Sequence, residues 1–270
     1  MIYLGCSGWS YPDWVGPFYP SRNTDKLDYY AGIFNTVEIN TTFYRVPEAK
    51  MVTGWMKRVS NRNFKFSVKF PREVTHKEMM SDARKAASDA LKFEETHLLP
   101  MLEAGRLAAV LIQLPPYFTI KNTHRLMETL ETLSTKRIRY FVEPRHGTLY
   151  GNDRFQADVV DAGAEVVDID GPERAFDGIH SRSNTFYARF HGRNYELWDK
   201  KTDNPSDRYD YEYTPHELRP IAEIIRENLK RFSDAFIYFN NHPGGKAPRN
   251  ALSLSEMLGL GAHDPQQRLI

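Results

Sequence analysis

Eight short stretches of this chain have the pattern of β-strands: most alternate two kinds of side chain with a two-residue period, and the fourth, 107–116, is nearly all apolar. Most of them are followed by a stretch with the spacing of an amphipathic helix, and the combined unit recurs about every 30 residues. The predicted strands are 2–7, 36–45, 63–70, 107–116, 137–146, 165–170, 185–193 and 235–241. The pattern predicts the α/β class and a single eight-fold β/α barrel of the TIM type over residues 1–270, with the helices outside.

The segments between the strands predict helices of ordinary length, with one exception. The predicted helices are 27–34, 52–59, 82–105, 126–133, 151–163, 214–229 and 253–259. The last two begin with capping boxes, at Thr214 and at Ser253. Because Asp170 and Thr185 are too close in sequence for a full crossover helix, we expect an irregular connection between strands six and seven.

Composition excludes several classes of protein. The net charge is +1, so any nucleic-acid interaction would need a local basic patch. The single cysteine, Cys6, cannot form an intrachain disulfide, and its position in the first strand predicts a buried thiol. No apolar run approaches the roughly 20 residues of a membrane span, and the N-terminus has no signal-peptide pattern. We therefore expect a cytoplasmic protein with no membrane partner, and the sequence indicates no oligomeric state.

The stretch 185–193, TFYARFHGR, shows how the strands divide their side chains. Tyr187, Arg189 and His191 share one face, and apolar residues occupy the other. In a β/α barrel the active site lies at the carboxyl ends of the strands. The groups predicted to point inward there are Ser7, Glu38, Asn40, Lys69, Gln113, Glu143, Arg145, Asp168, Asp170, Arg189, His191 and Asn240. A self-neutralising network of salt bridges is the alternative to a functional site, since buried charges are costly unless paired.

The mixture of charges in this ring favours acid and base chemistry without a metal or other cofactor. The candidate catalytic residues are Glu38, Lys69, Glu143, Asp168 and His191. The acidic residues and the histidine could instead bind a divalent metal, but Lys69, Arg145 and Arg189 would crowd the cation. We expect Glu38 or His191 to move protons, Lys69 and Arg189 to hold negative charge, and Asp168 to orient His191 or Lys69.

Substrate-binding residues are predicted from the strand ends and from three loops. The aromatic loop after strand one could cover the barrel or stack on a ring-shaped ligand, and the two readings stay open. The turn 242–246, HPGGK, could cradle phosphate or serve as a plain connection, while 194–213 is long enough to be a lid. The candidate substrate-binding residues are Trp9, Tyr11, Asn40, Tyr44, Gln113, Arg145, His146, Arg189, Arg193, Asn240, Asn241 and Lys246.

Seven ordered motifs resemble those of the YecE-like family, known as domain of unknown function seventy-two. They are GCSGWSYPDWVGPFYP, VEINTTFYRVP, FKFSVKFPREVTH, LIQLPPYF, EPRH, YARFHGR and YFNN, and they cover nearly the whole chain. The resemblance implies an eight-fold β/α barrel, in agreement with the strand pattern. It implies no reaction, because the activity of the family is not established.

The sequence is therefore compatible with three functions. The first is an enzyme, of the hydrolase, lyase or isomerase class, that acts on a small anionic substrate of phosphorylated or sugar-like character. The second is a nucleic-acid-binding or nucleic-acid-processing barrel that uses Arg189, Arg193, Lys200 and Lys201 for phosphate contacts. The third is a binding scaffold without catalysis.

Overall fold

The chain forms parallel strands alternating with helices in a computed structural model that describes residues 1–198, 200 and 202–260. The strands are β1 Ile2–Cys6, β2 Thr36–Ile39, β3 Lys65–Lys69, β4 Leu107–Gln113, β5 Tyr140–Glu143, β6 Glu165–Val166, β7 Asp168–Asp170, β8 Thr185–Phe190 and β9 Asp234–Phe239. The α-helices are α1 Lys26–Ile33, α2 Thr41–Tyr44, α3 Ala49–Arg58, α4 Met79–Ser81, α5 Ala83–Phe93, α6 Leu99–Glu103, α7 Thr123–Thr132, α8 Asp153–Asp161, α9 Pro215–Asn228 and α10 Lys246–Met257. Short 3₁₀ turns span Pro12–Trp14, Ile120–Asn122, Asp207–Tyr209, Leu229–Arg231 and Pro243–Gly245, and π-helical turns span Glu73–Glu78 and Glu94–Leu98.

The strands form two parallel sheets that meet at both edges. Their orders are β1-β9-β8-β7 and β2-β3-β4-β5-β6. At one junction an isolated parallel bridge links Ser7 to Glu38. At the other, only Val167 separates β6, which pairs with β5, from β7, which pairs with β8. The strands thus follow the order expected of a TIM-type barrel, and the predicted α/β class is confirmed.

The alternation along each strand separates two apolar clusters. The larger one lies between the sheet and the helices and includes Cys6, which is fully buried as predicted. The smaller cluster fills the interior enclosed by the strands. It includes the aromatic side chains of Tyr3, Phe141, Tyr187 and Phe236. Because this apolar filling occupies the strand interiors, the polar groups of the same inward face are concentrated towards the carboxyl ends.

Most helix positions agree with the sequence prediction, and the capping box at Thr214 is present. The last helix differs, because it begins at Lys246 and places Ser253 inside it. Gly244 and Gly245 both have positive φ, a conformation that ends the preceding turn and lets the helix start early. The capping-box pattern at Ser253 therefore occurs within a continuous helix.

Three other predicted segments also differ from the structure. Strand two ends at Ile39, and the short helix α2 replaces its predicted second half. The helix predicted over 82–105 is interrupted by the π-helical turn Glu94–Leu98. The sixth strand is divided into β6 and β7, and no helix connects Asp170 to Thr185, as expected for that crossover.

Within the described part of the chain, no helix has both the length and the hydropathy needed to cross a bilayer.

Gly5 allows β1 to approach β2 closely. A β-carbon at this position would overlap the backbone carbonyl oxygen of Thr36 and lie 2.7 Å from the Tyr30 hydroxyl. We predict that Gly5→Ala lowers the free energy of unfolding by roughly 2–4 kcal/mol, because a backbone must move to relieve the overlap. Urea denaturation measures this difference.

Gly54 provides the matched control. It lies in α3, and a β-carbon added there would have no other atom within 4 Å. Gly54→Ala should therefore stabilise the protein by about 0.5–1 kcal/mol, the usual gain in a helix interior. Equal effects of the two substitutions would contradict the close approach at Gly5.

Candidate functional site

The guanidinium group of Arg189 lies at the centre of the polar end of the barrel. Strand β8 directs it inward from the same face as Tyr187, and its side chain is completely buried. Its Nη2 lies 2.8 Å from Oε1 of Glu38, and its Nη1 donates to Oε2 of Glu143. One cation therefore joins two carboxylates that come from β2 and β5.

Both carboxylates are saturated by further donors. The hydroxyl groups of Ser7 and Tyr187 donate to the two oxygens of Glu38, each at 2.6 Å. Glu143 Oε1 accepts from Gln113 at 2.6 Å and from Arg145 at 3.0 Å. Burial alone would raise the pKa of Glu143, but the charges of Arg189 and Arg145 hold it well below its ordinary value. Glu143 is therefore an anion at neutral pH.

His191 is a neutral imidazole beside this network. Its Nδ1 lies 3.1 Å from the Asn240 amide nitrogen, so with the amide as donor the ring proton belongs on Nε2. Nε2 lies 3.3 Å from Oε1 of Glu143, but the angle does not form a hydrogen bond. Burial lowers the pKa of His191 to about 4, although Glu143 opposes this effect.

Lys69 differs from the other charged groups in having no carboxylate partner among the described residues. Its Nζ lies 3.8 Å from the centroid of the Phe43 ring, and the residue is 5% exposed. Burial, followed by the charge of Arg189, lowers the pKa of Lys69 to about 7, while Glu143 and Glu38 oppose the shift. An amine with this pKa can gain or lose a proton near neutral pH.

Several groups around Lys69 and His191 were not predicted from the sequence. His76 lies in the π-helical turn after β3, and its ring contacts Phe43 edge-on at 5.0 Å. Burial, and then the charge of Lys69, lowers the pKa of His76 to about 4. Trp198 and Tyr209, from the long loop after β8, lie with ring centroids 6.1 Å from that of His191. The only sequence signals were the FPREVTH motif and the aromatic character of the loop.

The aromatic loop after β1 divides between the two roles considered for it. Trp14 and Tyr19 are fully buried in the outer core. Trp9 and Tyr11 instead line a cavity of about 550 Å³ beside the strand ends, together with Asn40 and Tyr44. Four of the predicted substrate-binding residues therefore share one cavity.

Asp168 and Asp170 do not face the interior, so that prediction is wrong. Their neighbours Val167 and Ile169 belong to the interior cluster, which places both aspartates on the outer face of the strand. Asp168 binds His180 Nδ1 at 2.9 Å rather than orienting His191 or Lys69. Burial raises the pKa of Asp168, and hydrogen bonds from His180 oppose the rise.

Arg193 lies with Asp170 on that outer side. Its Nε and Nη2 atoms donate to the two carboxylate oxygens at 2.9 and 2.7 Å. The carboxylate also accepts from the Phe176 amide and the Tyr213 hydroxyl, at 2.8 and 2.6 Å. This cluster fixes the loop that follows β7, and Arg193 is not joined to the interior network.

The remaining candidate residues have local partners. His146 Nδ1 lies 3.0 Å from the Thr148 hydroxyl, and the amide nitrogen of Asn241 donates to Asn250 at 2.8 Å. In the turn considered for phosphate, Lys246 donates to Asp210 at 2.5 Å, and the Gly244 amide donates to Asp13 at 2.7 Å. Carboxylates therefore bind Lys246 and the Gly244 amide, two of the donors that the phosphate hypothesis required. Lys201 lies outside the described residues.

Comparison with known proteins shows what the whole chain resembles. Residues 3–269 match the family described as "Protein of unknown function DUF72". The UPF0759 protein YunF of Bacillus subtilis (strain 168) is 28% identical, over 96% of this chain and 95% of its own. The UPF0759 protein YecE of Escherichia coli (strain K12) is 32% identical over 54% of this chain and 49% of its own.

Solved structures show the same architecture. A DUF72 family protein (TM1631) from Thermotoga maritima MSB8 is 29% identical and superposes with a TM-score of 0.83, covering 96% of this chain and 99% of that one. A D-psicose 3-epimerase determined in the presence of D-fructose has a TM-score of 0.59 at 15% identity, covering 95% and 99%. The second likeness shows the fold alone.

The lowered pKa of Lys69 predicts a cost in stability. We expect Lys69→Met to raise the free energy of unfolding by about 1–4 kcal/mol at pH 7 and below, because it removes a desolvated cation. Above pH 7 the native lysine loses its proton while the unfolded lysine keeps it up to about pH 10.5, so the wild type gains stability as pH rises. The advantage of the variant should therefore shrink from pH 7 towards pH 10.

Urea denaturation at pH 6.5, 8 and 9.5 tests this prediction. Lys65→Met is the matched control, since Lys65 lies on the same face of β3 but at the opposite end, over the Tyr3 ring. The control should show no comparable pH trend. A Lys69 variant less stable than the wild type at pH 7, or with no pH trend, would contradict the desolvated state of Lys69.

Proposed function

The chain belongs to the DUF72 family of proteins of unknown function, and from that premise we propose that it is an enzyme of proton transfer. Its substrate is a small anion of phosphorylated or sugar-like character, bound at the carboxyl ends of the strands. Lys69 is the base, and the reaction removes a proton from a carbon next to a carbonyl group, as isomerases and lyases do.

The observation that carries this proposal is the position of Lys69. It is a buried amine at the carboxyl end of β3, in contact with the Phe43 ring, with a pKa of about 7. A base with a pKa near the working pH combines a substantial free-base fraction with a useful driving force for proton transfer. The candidate acids and bases Glu38 and Glu143 are less suited, because each is saturated by donors and fully buried.

The charge balance supports an anionic substrate. Glu38 and Glu143 carry two negative charges, and Arg145 and Arg189 carry two positive charges in direct contact with them. Protonated Lys69 adds a positive charge that no carboxylate of residues 1–198, 200 and 202–260 neutralises within 4 Å. A substrate anion, or the enolate formed when a proton leaves, would balance that charge.

The other residues of the network act on Lys69 and on the substrate in separate ways. Burial is the largest cause of the lowered pKa of Lys69, the charge of Arg189 lowers that pKa further, and the two glutamates oppose the shift. Neutral His191 has a buried Nε2 without a hydrogen-bond partner in the described part of the chain, and the Trp198 and Tyr209 rings lie near it. In this proposal His191 is the group that donates a proton to a substrate oxygen.

The proposal uses no metal. The carboxylates of the inward ring are committed to guanidinium and hydroxyl donors, and Asp168, a potential ligand by its residue type, lies on the outer face. Among the described residues there is no group of three or more His, Cys, Asp or Glu placed to hold an ion.

Of the side chains suggested for nucleic-acid contacts, Arg189 and Arg193 are both bound to carboxylates, so no observation favours that alternative.

Hydrogen exchange with solvent tests the reaction. The protein is incubated in ²H₂O with D-fructose 6-phosphate, D-ribose 5-phosphate, D-glucuronate and D-gluconate, and with neutral D-fructose and D-ribose, and NMR follows loss of carbon-bound protons. We predict catalysed exchange with at least one of the anions that have a carbonyl group, at a rate that rises with pH to a plateau above about pH 7. The rise follows the free-base fraction of Lys69.

Two variants make the result specific. Lys69→Met should lower the exchange rate by a factor of about 10² to 10⁴, the usual contribution of a general base. Lys65→Met should leave the rate unchanged, since Lys65 lies at the other end of the same strand. Exchange that survives in the Lys69 variant, or none with any of the anions, contradicts the proposal. Binding of an anion without exchange would favour the scaffold function.

A further inference from the structure

Four aromatic side chains line the cavity beyond the carboxyl ends of β1 and β2. Trp9, Tyr11, Tyr44 and Trp55 line it together with Met51, and its volume is about 550 Å³. Trp9 and Trp55 meet edge to face at 5.3 Å between ring centroids. Small-molecule sites are usually concave, mostly apolar and of about 300–1,000 Å³, so this cavity has the size for one ring-bearing molecule.

Cationic side chains adjoin the cavity on one side. Arg45 lines it, and a neighbouring groove shares Tyr44 and Arg45 with it and adds Arg72. In the portion of the chain that the structure describes, neither Arg45 nor Arg72 forms an ion pair, whereas Arg145, Arg189 and Arg193 all do. Two acidic residues are also present, Glu48 in the cavity and Glu73, which pairs with Lys77, in the groove.

Tyr44 lies where the rings and the cations meet. Its side chain is 69% exposed, so folding does not account for the position of a large ring there. Tyr44 lines the apolar cavity and also the neighbouring groove that contains Arg45 and Arg72.

Helix α2 joins this cavity to the lysine site. It carries both Phe43, whose ring contacts the Lys69 ammonium, and Tyr44, whose ring lies 5.2 Å from that of Phe43. Asn40, which lines the cavity, follows Ile39, the partner of Val68 in the β2–β3 register, so it lies next to Lys69. Helix α2 and Asn40 therefore connect the lining of the cavity to the proposed base.

We propose that this cavity holds a planar aromatic ring and that Arg45 and Arg72 hold an anionic group of the same small molecule. The inference rests on the proposed function and narrows its substrate class to an anion that carries an aromatic ring as well as the carbonyl group. Mononucleotides serve as probes of the ring and anion subsites and are not themselves the substrate. The apolar lining favours a ring by burial and stacking, and the arginines give the charge complementarity for phosphate. A sugar phosphate, which has no aromatic ring, would fill only part of the site.

Calorimetric titration separates the contributions of the ring and the phosphate. The probes are AMP, GMP, CMP and UMP, with adenosine and D-ribose 5-phosphate as the two halves of AMP. We predict that at least one mononucleotide binds about 10- to 100-fold more tightly than D-ribose 5-phosphate, which is the range expected for a base stacked on aromatic side chains. Adenosine should also bind more weakly than AMP.

Matched variants assign the two halves to their residues. Tyr44→Ala should remove most of the advantage of the mononucleotide, while Tyr195→Ala, a ring 67% exposed outside the cavity, should leave it intact. Arg72→Gln should weaken mononucleotide and D-ribose 5-phosphate alike without changing adenosine. Arg84→Gln, on α5 away from the cavity, should change none of them.

The outcomes distinguish this inference from the proposed function. If none of the four mononucleotides binds more tightly than D-ribose 5-phosphate, or Tyr44→Ala and Tyr195→Ala behave alike, the ring site is overturned. Exchange that depends on Lys69 would still stand in that case. A single-stranded 12-nucleotide DNA that binds more than tenfold more tightly than any mononucleotide, with steep salt dependence, would overturn the small-molecule class as well.

Discussion

The contact of Arg189 with Glu38 and Glu143 is the interaction on which the polar half of the barrel depends. A buried charge is costly, and it is tolerated only when geometry and further hydrogen bonds compensate it. Here one guanidinium group from β8 binds carboxylates from β2 and β5, and Ser7, Tyr187, Gln113 and Arg145 complete the bonds to those carboxylates. The rings packed below them close the interior. The carboxyl ends of several strands are thereby held in one arrangement.

That arrangement leaves the ammonium group of Lys69 without an ion pair among the described residues. Because Arg189 and Arg145 satisfy Glu38 and Glu143, Lys69 sits near both carboxylates without an ion pair to either. The network therefore supports two conclusions that were alternatives at the level of sequence. Most of the ring is a self-neutralising cluster, and the function that we propose relies on Lys69 and His191 only.

The sequence predicted the strand order, the fold class and the inward faces of β2, β3, β5 and β8, because strict alternation fixes which residues share a face. The prediction of which face of the sixth strand points inward was wrong. Charge at the end of a strand favours an inward position for Asp168 and Asp170, yet they anchor the following loop through His180 and Phe176. His76, Trp198 and Tyr209 come from a π-helical turn and a long loop, where no periodicity indicates direction. The sequence also could not predict that Lys69 has no carboxylate partner among the described residues, because this depends on which carboxylates the arginines bind.

The most direct test of this account is the titration of Lys69 itself. Protein with ¹³C at the lysine ε-carbon is titrated by NMR, and the Lys69 signal is assigned by its absence in Lys69→Arg. The account predicts a midpoint near pH 7 for this signal, well below the ordinary value of about 10.4 for a lysine. A midpoint for Lys69 at pH 10 or above would show that the ammonium is paired or solvated, and it would contradict the central claim.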